Sequence, residues 1–536
     1  MSNERRVTGN GKDRPKAWGM LFSLPVTRYP LLLVLLAAVL YFFKLGSFSL
    51  YNGIETIYGE FTKNILQMND WLTLHYNGQV IFDKPPLYYW LAALLAKLIG
   101  LNEWAMRFWA ALSGVLTVLT TYHLGRKLYN ERTGLLAGLI VMTAFQFLVQ
   151  SRIAELDIVL TLLLTLSLYL WYRWYADGDR TAGLLAYLPL AFGLLIKGIL
   201  AVALPGCTVI LFLLFKRELP KLKEMRIVPG ALLITVIGLP WYIAEYLIHG
   251  PVFIDFALGF LFLARFQGVV AGHTGPWYYY FPALLIGFAP WSHFLPLALW
   301  QAWQERRHDP ELLALCFILP ALIVFSIAKT KIPNYVLPLY PFLAIMVGAS
   351  WDRLLREPAA ERRGFLFANL FFALVVALIC AGVMMVGNNQ YPAQYVTLIP
   401  SLQALAAVLV LGASVSIGLF LVKSYRASFA AIPVMVFIIT LILTLWTLPA
   451  VEPLKGEKEL GQKVAAALTP TKLIAAYNVG NRPGVVFYNS RTVVMLSSEA
   501  ESRSFLRQRR GFLFTAERPL PFGRLFARQG ELFVYY

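Results

Sequence analysis

Several connections between the long apolar segments of this sequence carry acidic and basic side chains together. Such side chains can exchange protons and bind anions, so a group of them in one place is a candidate catalytic or binding site. Their spacing along the chain is wide, and only the fold can bring them together. They are Glu55 and Glu60, Asp83 and Lys84, Glu155 and Asp157, Arg265 and His273, and Lys329, Lys331 and Tyr335.

The composition indicates which kind of fold must position these side chains. Of 536 residues, 58% are hydrophobic and only 14% are charged, and the mean hydropathy is +0.63. A soluble chain carries about 25% charged residues, so soluble, disordered and coiled-coil proteins are excluded. The net charge of +18 would indicate nucleic-acid binding in a soluble protein. In an integral membrane protein it reflects basic loops on the inner side.

Basic connections alternate with weakly charged ones along the chain, and this alternation predicts the topology. A membrane helix needs about 20 mostly apolar residues, and short loops rich in Lys and Arg stay in the cytoplasm. The pattern predicts about thirteen spans, with the N-terminus inside and the C-terminus outside. The spans are 30–47, 105–123, 134–150, 157–173, 181–197, 198–215, 228–247, 278–300, 311–327, 335–349, 364–386, 399–422 and 429–448.

One apolar segment, 87–100, does not fit the alternation and is not counted as a span. It is short and contains Lys97, which is typical of an interfacial or re-entrant helix. The sequence therefore predicts a cytoplasmic tail at 1–29, a transmembrane domain at 30–448 and a long first external loop at 48–104. This loop is rich in aromatic residues, and we expect it to be ordered against the membrane.

The last part of the chain, 449–536, has a different pattern. Short β-type runs alternate with helical stretches there, so we expect a small extracytoplasmic α/β domain. The predicted strands are 473–479, 485–489, 492–497, 512–515 and 532–536, and the predicted helices are 456–468 and 499–509.

Under this topology the candidate side chains all lie at the outer membrane face. Charges near the ends of membrane helices are costly unless they are paired, reach the interface or serve a function. Taken singly, each is explained at least as well by an interfacial side chain or a loop ion pair. Their concentration on one face favours a functional site.

Three motifs in the first external loop resemble the lipid-linked-sugar glycosyltransferases of the protein O-mannosyltransferase and aminoarabinose (lipid A) transferase superfamily. They are Ile54–Glu60, Asn69–Trp71 and Phe82–Pro86. The similarity continues in order as far as about residue 340, which makes it more specific than any single motif. The later matches are Glu155-Leu156-Asp157, Lys197-Gly198, Arg265-Phe266, Pro276–Tyr279 and Lys331–Pro338.

The resemblance implies a GT-C fold, an α-helical polytopic membrane protein with about thirteen membrane helices. It also implies an enzyme that moves a sugar from a polyprenyl-phosphate carrier to a lipid or protein acceptor at the outer face. That reaction needs a carboxylate to deprotonate or orient the acceptor. It also needs cations to hold the leaving phosphate.

The resemblance assigns roles to particular residues. In the family the first loop begins with an Asp-Glu pair whose aspartate is the favoured base, and Ile54 stands at that position here. We therefore expect Glu55 to be the base, with Asp157 as its helper. The alternative is that Glu55 only braces the loop and that this member is altered or inactive in its chemistry.

The remaining roles follow from the same resemblance. The expected donor-phosphate ligands are Lys84, Arg265, Lys329, Lys331 and Tyr335, and the expected supporting residues are Tyr58, Glu60, Asp83 and His273. We expect no required cofactor. No metal site is predicted, because the candidate ligands are only one acid, Asp83, and one distant histidine, His273.

The main alternative function is a transporter or flippase of a lipid-linked sugar, which would share the polytopic body and the basic outer pocket. Transporters tend to have repeated halves and polar interruptions near the midplane, and neither pattern is clear here. Both functions place the chain in the plasma (inner) membrane with a polyprenyl-phosphate-linked sugar as partner and no nucleic acid.

The predicted orientation is testable with a reporter enzyme fused after Tyr536. We expect a reporter that works only outside the cytoplasm to be active, because the alternation of basic loops puts the C-terminus outside. A cytoplasmic reporter active at the same position would overturn the predicted topology.

Overall fold

The computed structural model describes residues 28–257, 259, 268, 272–385, 393–508, 510–516 and 518–536. Of the tail predicted for 1–29, only residues 28 and 29 are among these residues. Arg265 is not among them.

The apolar segments of the chain form helices. A bilayer core offers the backbone no hydrogen-bonding partner, so each segment must satisfy its own N–H and C=O groups. The helices of the N-terminal half are α1 (Tyr29–Phe42), α2 (Ile54–Met68), α3 (Leu87–Ile99), α4 (Glu103–Leu128), α5 (Glu131–Thr143), α6 (Phe145–Gln150), α7 (Leu156–Asp177), α8 (Arg180–Leu185), α9 (Tyr187–Lys197), α10 (Leu200–Lys216), α11 (Ile227–Gly238), α12 (Pro240–His249) and α13 (Pro251–Ile254).

The C-terminal half continues in the same way. Its helices are α14 (Tyr280–Gly287), α15 (Leu295–Gln304), α16 (Asp309–Ile327), α17 (Tyr340–Arg356), α18 (Pro358–Met385), α19 (Ile399–Leu421), α20 (Tyr425–Ile442), α21 (Leu448–Lys455), α22 (Glu457–Ala467), α23 (Gly484–Phe487) and α24 (Glu499–Arg507). Short 3-10 turns occupy Leu219–Met225, Ser292–Phe294, Pro333–Leu339 and Ala393–Leu398, and a π turn occupies Leu443–Thr447.

Few of these helices are long, unbroken and strongly apolar. Within the described residues, five helical runs meet the length and composition of a membrane span, and two of these runs join shorter helices, α8 with α9 and α20 with α21. A sixth does if α11 and α12 form one span bent by 45°. Prolines explain several breaks, since proline lacks the N–H that continues a helix. Pro240 begins α12, and Pro290 and Pro338 lie in the breaks within predicted spans 278–300 and 335–349. The number of thirteen spans stays a prediction.

The helices α4, α5 and α17 pack unusually closely. A Cβ atom on Gly134 of α5 would lie 2.6 Å from the carbonyl oxygen of Tyr122 on α4. A Cβ atom on Gly348 of α17 would lie 3.1 Å from the backbone nitrogen of Ala137 on α5. Close packing through small residues drives helix association in a bilayer, where the lipid removes the hydrophobic force between helices. These close contacts therefore join α4, α5 and α17 into one packed unit.

The predicted first external loop, 48–104, is ordered, as expected. It contains α2, a short hairpin of β1 (His75–Tyr76) and β2 (Gln79–Val80), and α3. Nearly all of α2 is buried, from Glu55 to Ile65. The loop is therefore packed on both sides, between the membrane helices and the C-terminal residues.

The C-terminal residues form a mixed five-stranded sheet in the order β4-β3-β5-β7-β6. The strand β3 pairs in parallel with β4 and β5, and β7 pairs antiparallel with β5 and β6. The strands are β3 (Leu473–Tyr477), β4 (Val493–Leu496), β5 (Gly511–Ala516), β6 (Leu525–Gln529) and β7 (Leu532–Tyr535).

The structure agrees with most of the predicted elements in this tail and corrects one. The helices α22 and α24 and four of the predicted strands are confirmed. The strand predicted at 485–489 is wrong, because Gly484–Phe487 is a short helix that follows Pro483. A short apolar run fits a buried helical turn as well as a strand. The strand β6 was not predicted, since it is a mostly exposed edge strand without a clear apolar alternation.

The helix α2 is attached to this tail by a buried ammonium. Lys63 donates from Nζ to the carbonyl oxygens of Val486, Phe487 and Asn489 at 3.1, 3.2 and 3.1 Å. Its Nζ also lies 2.5 Å from Oε2 of Glu60. Since a buried cation must be paired and hydrogen-bonded, these contacts fix α2 against the helical turn α23.

Removing this cation should loosen the contact between loop and tail. We expect Lys63→Met to lower the unfolding free energy by about 3–5 kcal/mol, because Glu60 and the carbonyl groups then remain buried without a partner. Thermal unfolding in detergent, with limited proteolysis of the tail, measures the effect.

Lys463→Met is the matched control, because Lys463 forms an exposed pair with Glu459 at 2.7 Å. Exposed pairs contribute only about 0–1 kcal/mol. Equal losses in the two variants would contradict the structural role of Lys63.

Candidate active site

The first turn of α2 is held by a buried ion pair between Glu55 and Arg107 of α4. Arg107 donates from Nε to Oε1 of Glu55 at 2.8 Å and from Nη2 to Oε2 at 2.7 Å. Glu55 is 1% exposed, and Arg107 is 5% exposed. The backbone N–H groups of Tyr51 and Ala154 also donate to the Glu55 carboxylate, at 2.7 and 2.6 Å. Both carboxylate oxygens are therefore fully engaged.

These contacts decide the protonation state of Glu55. Burial opposes ionisation, but the Arg107 charge, its hydrogen bonds and the two backbone N–H groups together outweigh burial and lower the pKa of Glu55. A carboxylate with a lowered pKa and occupied oxygens is a poor proton acceptor. The arrangement favours a bracing role for Glu55 over the base role expected from the sequence.

A second acidic group lies beside this brace, at the start of α7. Asp157 pairs with Lys197 at the end of α9, and the Nζ of Lys197 lies 4.8 Å from the ring centroid of Tyr335. Glu155 stands two residues before Asp157 and is 4% exposed. The helices α7 and α9 and the 3-10 turn that contains Tyr335 therefore meet here.

Glu155 has the opposite electrostatic environment from Glu55. Burial and then the neighbouring Asp157 carboxylate raise its pKa, the charges of Lys197 and Lys84 lower it, and the net pKa is about 8. Burial favours the neutral carboxylic acid over the carboxylate. Glu155 is therefore a group that exchanges its proton near neutral pH.

Lys84 and Asp83 belong to the first loop and form one side of the charged group around Glu155. The Nζ of Lys84 lies 3.0 Å from Oδ1 of Asp83, and the charge of Lys84 acts on Glu155. Lys84 is partly buried at the end of a loop, directly before α3. An ammonium in this position can meet an anionic head group at the membrane boundary as a point charge.

Tyr58 connects α2 to the same group of carboxylates. Its ring lies 5.2 Å from the ring of Tyr89 on α3. Burial, the neighbouring Tyr89 and then the charges of Glu155, Asp83 and Asp157 raise the pKa of Tyr58 well above its usual range. The phenol therefore stays protonated and can only donate its hydrogen or accept through its oxygen.

The other predicted residues fall outside this group, or their donors are used elsewhere. Glu60 pairs with Lys63 under the C-terminal tail. Lys331 is buried, and its Nζ donates to the carbonyl oxygens of Ser326 and Ala328 at 2.8 and 2.6 Å, which caps the end of α16. Burial lowers the pKa of Lys331. These contacts favour a capping role for Lys331 over phosphate binding.

The remaining predicted residues are His273, Lys329 and Arg265. The side chains of His273 and Lys329 are exposed, and the His273 carbonyl oxygen accepts a hydrogen bond from the Lys331 backbone at 3.1 Å. Arg265 lies outside the described residues.

A group of side chains that could hold a metal ion lies away from the carboxylates described above. In the part of the chain that the structure describes, the one group of three potential ligands within 4.8 Å of one another is Glu305, His308 and Glu311. It lies between α15 and α16, in a connection predicted to face the cytoplasm. Arg353 pairs with Glu305 at 2.7 Å there, which supplies a positive charge in place of an ion.

Three residues of the site were not assigned a role from the sequence. Arg107 stands near the start of a predicted span, and a charge so close to a membrane core is a signal of function or pairing. Lys197 and Glu155 belong to the quoted motifs, but the motifs alone do not show which carboxylate is paired with which cation. Only the three-dimensional structure shows these ion pairs.

Proteins that are similar to this chain in sequence or fold include named glycosyltransferases. The family described as dolichyl-phosphate-mannose-protein mannosyltransferase matches residues 83–243. An uncharacterized protein of Aquifex aeolicus is 28% identical over 90% of this chain and 91% of its own length. The undecaprenyl phosphate-alpha-4-amino-4-deoxy-L-arabinose arabinosyl transferase of Pseudomonas aeruginosa (strain UCBPP-PA14) is 33% identical over 64% of this chain. The match covers 63% of that enzyme, less than two thirds of its length.

A protein of known structure has a similar fold. The crystal structure of ArnT from Cupriavidus metallidurans bound to undecaprenyl phosphate matches with a TM-score of 0.79 and 23% identity. The match covers 95% of this chain and 98% of that one. This agreement over nearly the whole chain shows a polytopic, mostly helical fold like that of ArnT. Together with the family match at residues 83–243, these similarities support the GT-C glycosyltransferase superfamily that the sequence motifs resemble.

The bracing role of Glu55 predicts a stability effect. We expect Glu55→Gln and Arg107→Met each to lower the unfolding free energy by about 3–5 kcal/mol, because each leaves a buried charged group without its partner. In the double variant the loss should be smaller than the sum, since the two side chains act as one unit. Thermal unfolding in detergent measures all three.

The same series tests the alternative role. A Glu55→Gln protein as stable as the wild type, but without transfer activity, would contradict the brace and support Glu55 as the base.

Proposed function

We propose that this protein transfers a sugar from a polyprenyl-phosphate carrier to a lipid or protein acceptor at the outer face of the inner membrane. The observation that carries the proposal is the buried group in which Lys84 and Lys197 flank Glu155 and Asp157. It combines cations for a leaving phosphate with carboxylates for proton transfer, which are the parts that such a reaction needs. The similarity to enzymes named as mannosyl and arabinosyl transferases supports the same reaction class.

We propose the topology that this function requires. The 1–29 tail lies in the cytoplasm, and about thirteen spans within 30–448 form the membrane domain. The loop 48–104 and the domain 449–536 lie outside. The contact of Lys63 with the tail supports this arrangement, because it requires loop and tail to lie on the same side of the membrane.

The donor phosphate is proposed to bind at Lys84. Its position at the loop boundary, close to Glu155 and beside α3, suits a lipid head group that enters from the membrane. Tyr335 lies beside Lys197, and its hydroxyl is proposed to donate to the same phosphate or to the sugar. Arg265 and Lys329 are proposed as outer cations that approach the phosphate when the carrier binds.

The relatives suggest the carrier to be tested first. The matched Pseudomonas enzymes are named for undecaprenyl phosphate-alpha-4-amino-4-deoxy-L-arabinose. We propose undecaprenyl phosphate as the carrier of this chain and that amino sugar as the first donor to assay. The proposed function requires no cofactor.

Loss of the Lys84 charge should weaken carrier binding. We expect Lys84→Met to raise the Kd for undecaprenyl phosphate about 10-fold or more, because a hydrogen bond to a charged group contributes about 1.5–3 kcal/mol. Transfer of radiolabel in proteoliposomes should fall with it. Lys223→Met, the same change at an exposed position, should leave both unchanged.

The fate of the label distinguishes the candidate functions. Label on an acceptor supports the transferase, whereas unchanged carrier moved across the bilayer would show a flippase. Carrier binding that is unaffected by Lys84→Met would contradict the proposed phosphate site.

A further inference from the structure

The acidic side chains near the proposed site differ in whether a cation neutralises them. Four have a basic partner: Glu55 with Arg107, Glu60 with Lys63, Asp83 with Lys84 and Asp157 with Lys197. A cation beside a carboxylate occupies one of its oxygens and is held there by a charge-assisted hydrogen bond. Each of these four carboxylates is therefore already engaged by a cation.

Glu155 is the exception. Across the residues that the structure describes, no basic side chain lies within ion-pair distance of its carboxylate. It is buried, and burial raises its pKa to about 8. Its proton affinity is thus matched to neutral pH, which is the property that a general base requires.

The backbone beside Glu155 is joined directly to the first turn of α2. The N–H of the preceding residue, Ala154, donates to Oε1 of Glu55 at 2.6 Å, which ties this loop to the first turn of α2. On that turn Ile54 is 42% exposed and offers no proton acceptor. Tyr58, one helical turn further on, interacts with the charge of Glu155. Glu155 is therefore close to both the first turn of α2 and Lys84.

We propose that Glu155 is the general base of the transfer reaction, removing the proton from the acceptor hydroxyl as its oxygen attacks the anomeric carbon. The inference rests on the proposed glycosyl transfer. The acceptor oxygen forms the new bond to the anomeric carbon, and the bond from that carbon to the phosphate oxygen breaks. Its electron pair leaves with the polyprenyl phosphate beside Lys84. The proton moves to Glu155 and is released to water before the next turnover.

This role defines the chemical class of the acceptor. A general base accelerates the reaction only if the attacking oxygen carries a proton. A phosphate monoester has a second pKa of about 6 and is already deprotonated at neutral pH. The proposal therefore points to an acceptor that reacts through a hydroxyl group.

The pH dependence follows from the state in which Glu155 works. The base must be deprotonated, so kcat/KM should rise as the pH increases through about 8. Among the described residues, the charged and titratable groups that face Glu155 are Asp157, Lys197 and Lys84, with Tyr58 on α2 and Tyr88 and Tyr89 on α3. Glu155→Gln should abolish this rise, and Glu155→Asp should move it to lower pH.

The decisive experiment compares a nucleophile that carries a proton with one that does not. Wild type and Glu155→Gln are reconstituted in proteoliposomes with radiolabelled undecaprenyl phosphate-alpha-4-amino-4-deoxy-L-arabinose. The acceptors are an extract of the native cell envelope or sodium azide. Azide needs no base, so Glu155→Gln should still form the glycosyl azide at close to the wild-type rate. Its transfer to the envelope acceptor should fall by about 10²–10⁴-fold, the usual contribution of a general base.

Two controls separate the ways in which the experiment can fail. Glu459→Gln changes an exposed acid of the outer domain and should leave both reactions unchanged. Binding of undecaprenyl phosphate alone, measured for every variant, reports folding and carrier recognition without chemistry. A wild-type protein that neither binds the carrier nor transfers label contradicts the proposed function and not the role of Glu155.

Two outcomes would overturn the role of Glu155. One is envelope transfer by Glu155→Gln at the wild-type rate. The other is loss of the azide reaction together with envelope transfer in a variant that still binds the carrier. If Glu155→Gln does not fold, an unshifted pH profile in Glu155→Asp overturns it equally.

Discussion

The buried pair of Glu55 and Arg107 is the interaction on which the first loop and the proposed site depend. Removing two charges from water is costly, and the cost is offset only when every donor and acceptor finds a partner. Arg107 meets this condition, since it also donates to the carbonyl oxygens of Leu45, Phe48 and Ser49 at 3.0 Å. The pair thereby joins the chain leaving α1, the first turn of α2 and the loop before α7.

That junction explains how the proposed site is assembled. The loop before α7 carries Glu155 and Asp157, and its Ala154 N–H is bound to Glu55. Lys197 reaches Asp157 from α9, and Lys84 comes from the segment before α3. At the other end of α2, Lys63 attaches the helix to the C-terminal tail. The helix is therefore fixed at both ends, and the proposed site lies beside a rigid element.

Much of this architecture could be predicted from the sequence, because membrane helices have a strong local signal. The apolar segments, the ordered first loop and most elements of the tail were predicted from hydropathy and periodicity. The candidate charges were also identified. Their roles were not, because pairing is set between distant parts of the chain: Glu55 and Arg107 are 52 residues apart, and Lys63 and Val486 are 423 apart. Ile54 showed that a carboxylate was missing, but only the pairing distinguished Glu55 from Glu155.

The central claim is that the charged group around Glu155 and Lys84 is the place where a polyprenyl phosphate reacts. An experimental structure of the protein with undecaprenyl phosphate bound tests this most directly. The account predicts a phosphate oxygen about 3 Å from Nζ of Lys84, on the side that faces Glu155. A head group bound at another surface, with Lys84 and Glu155 out of its reach, would contradict it.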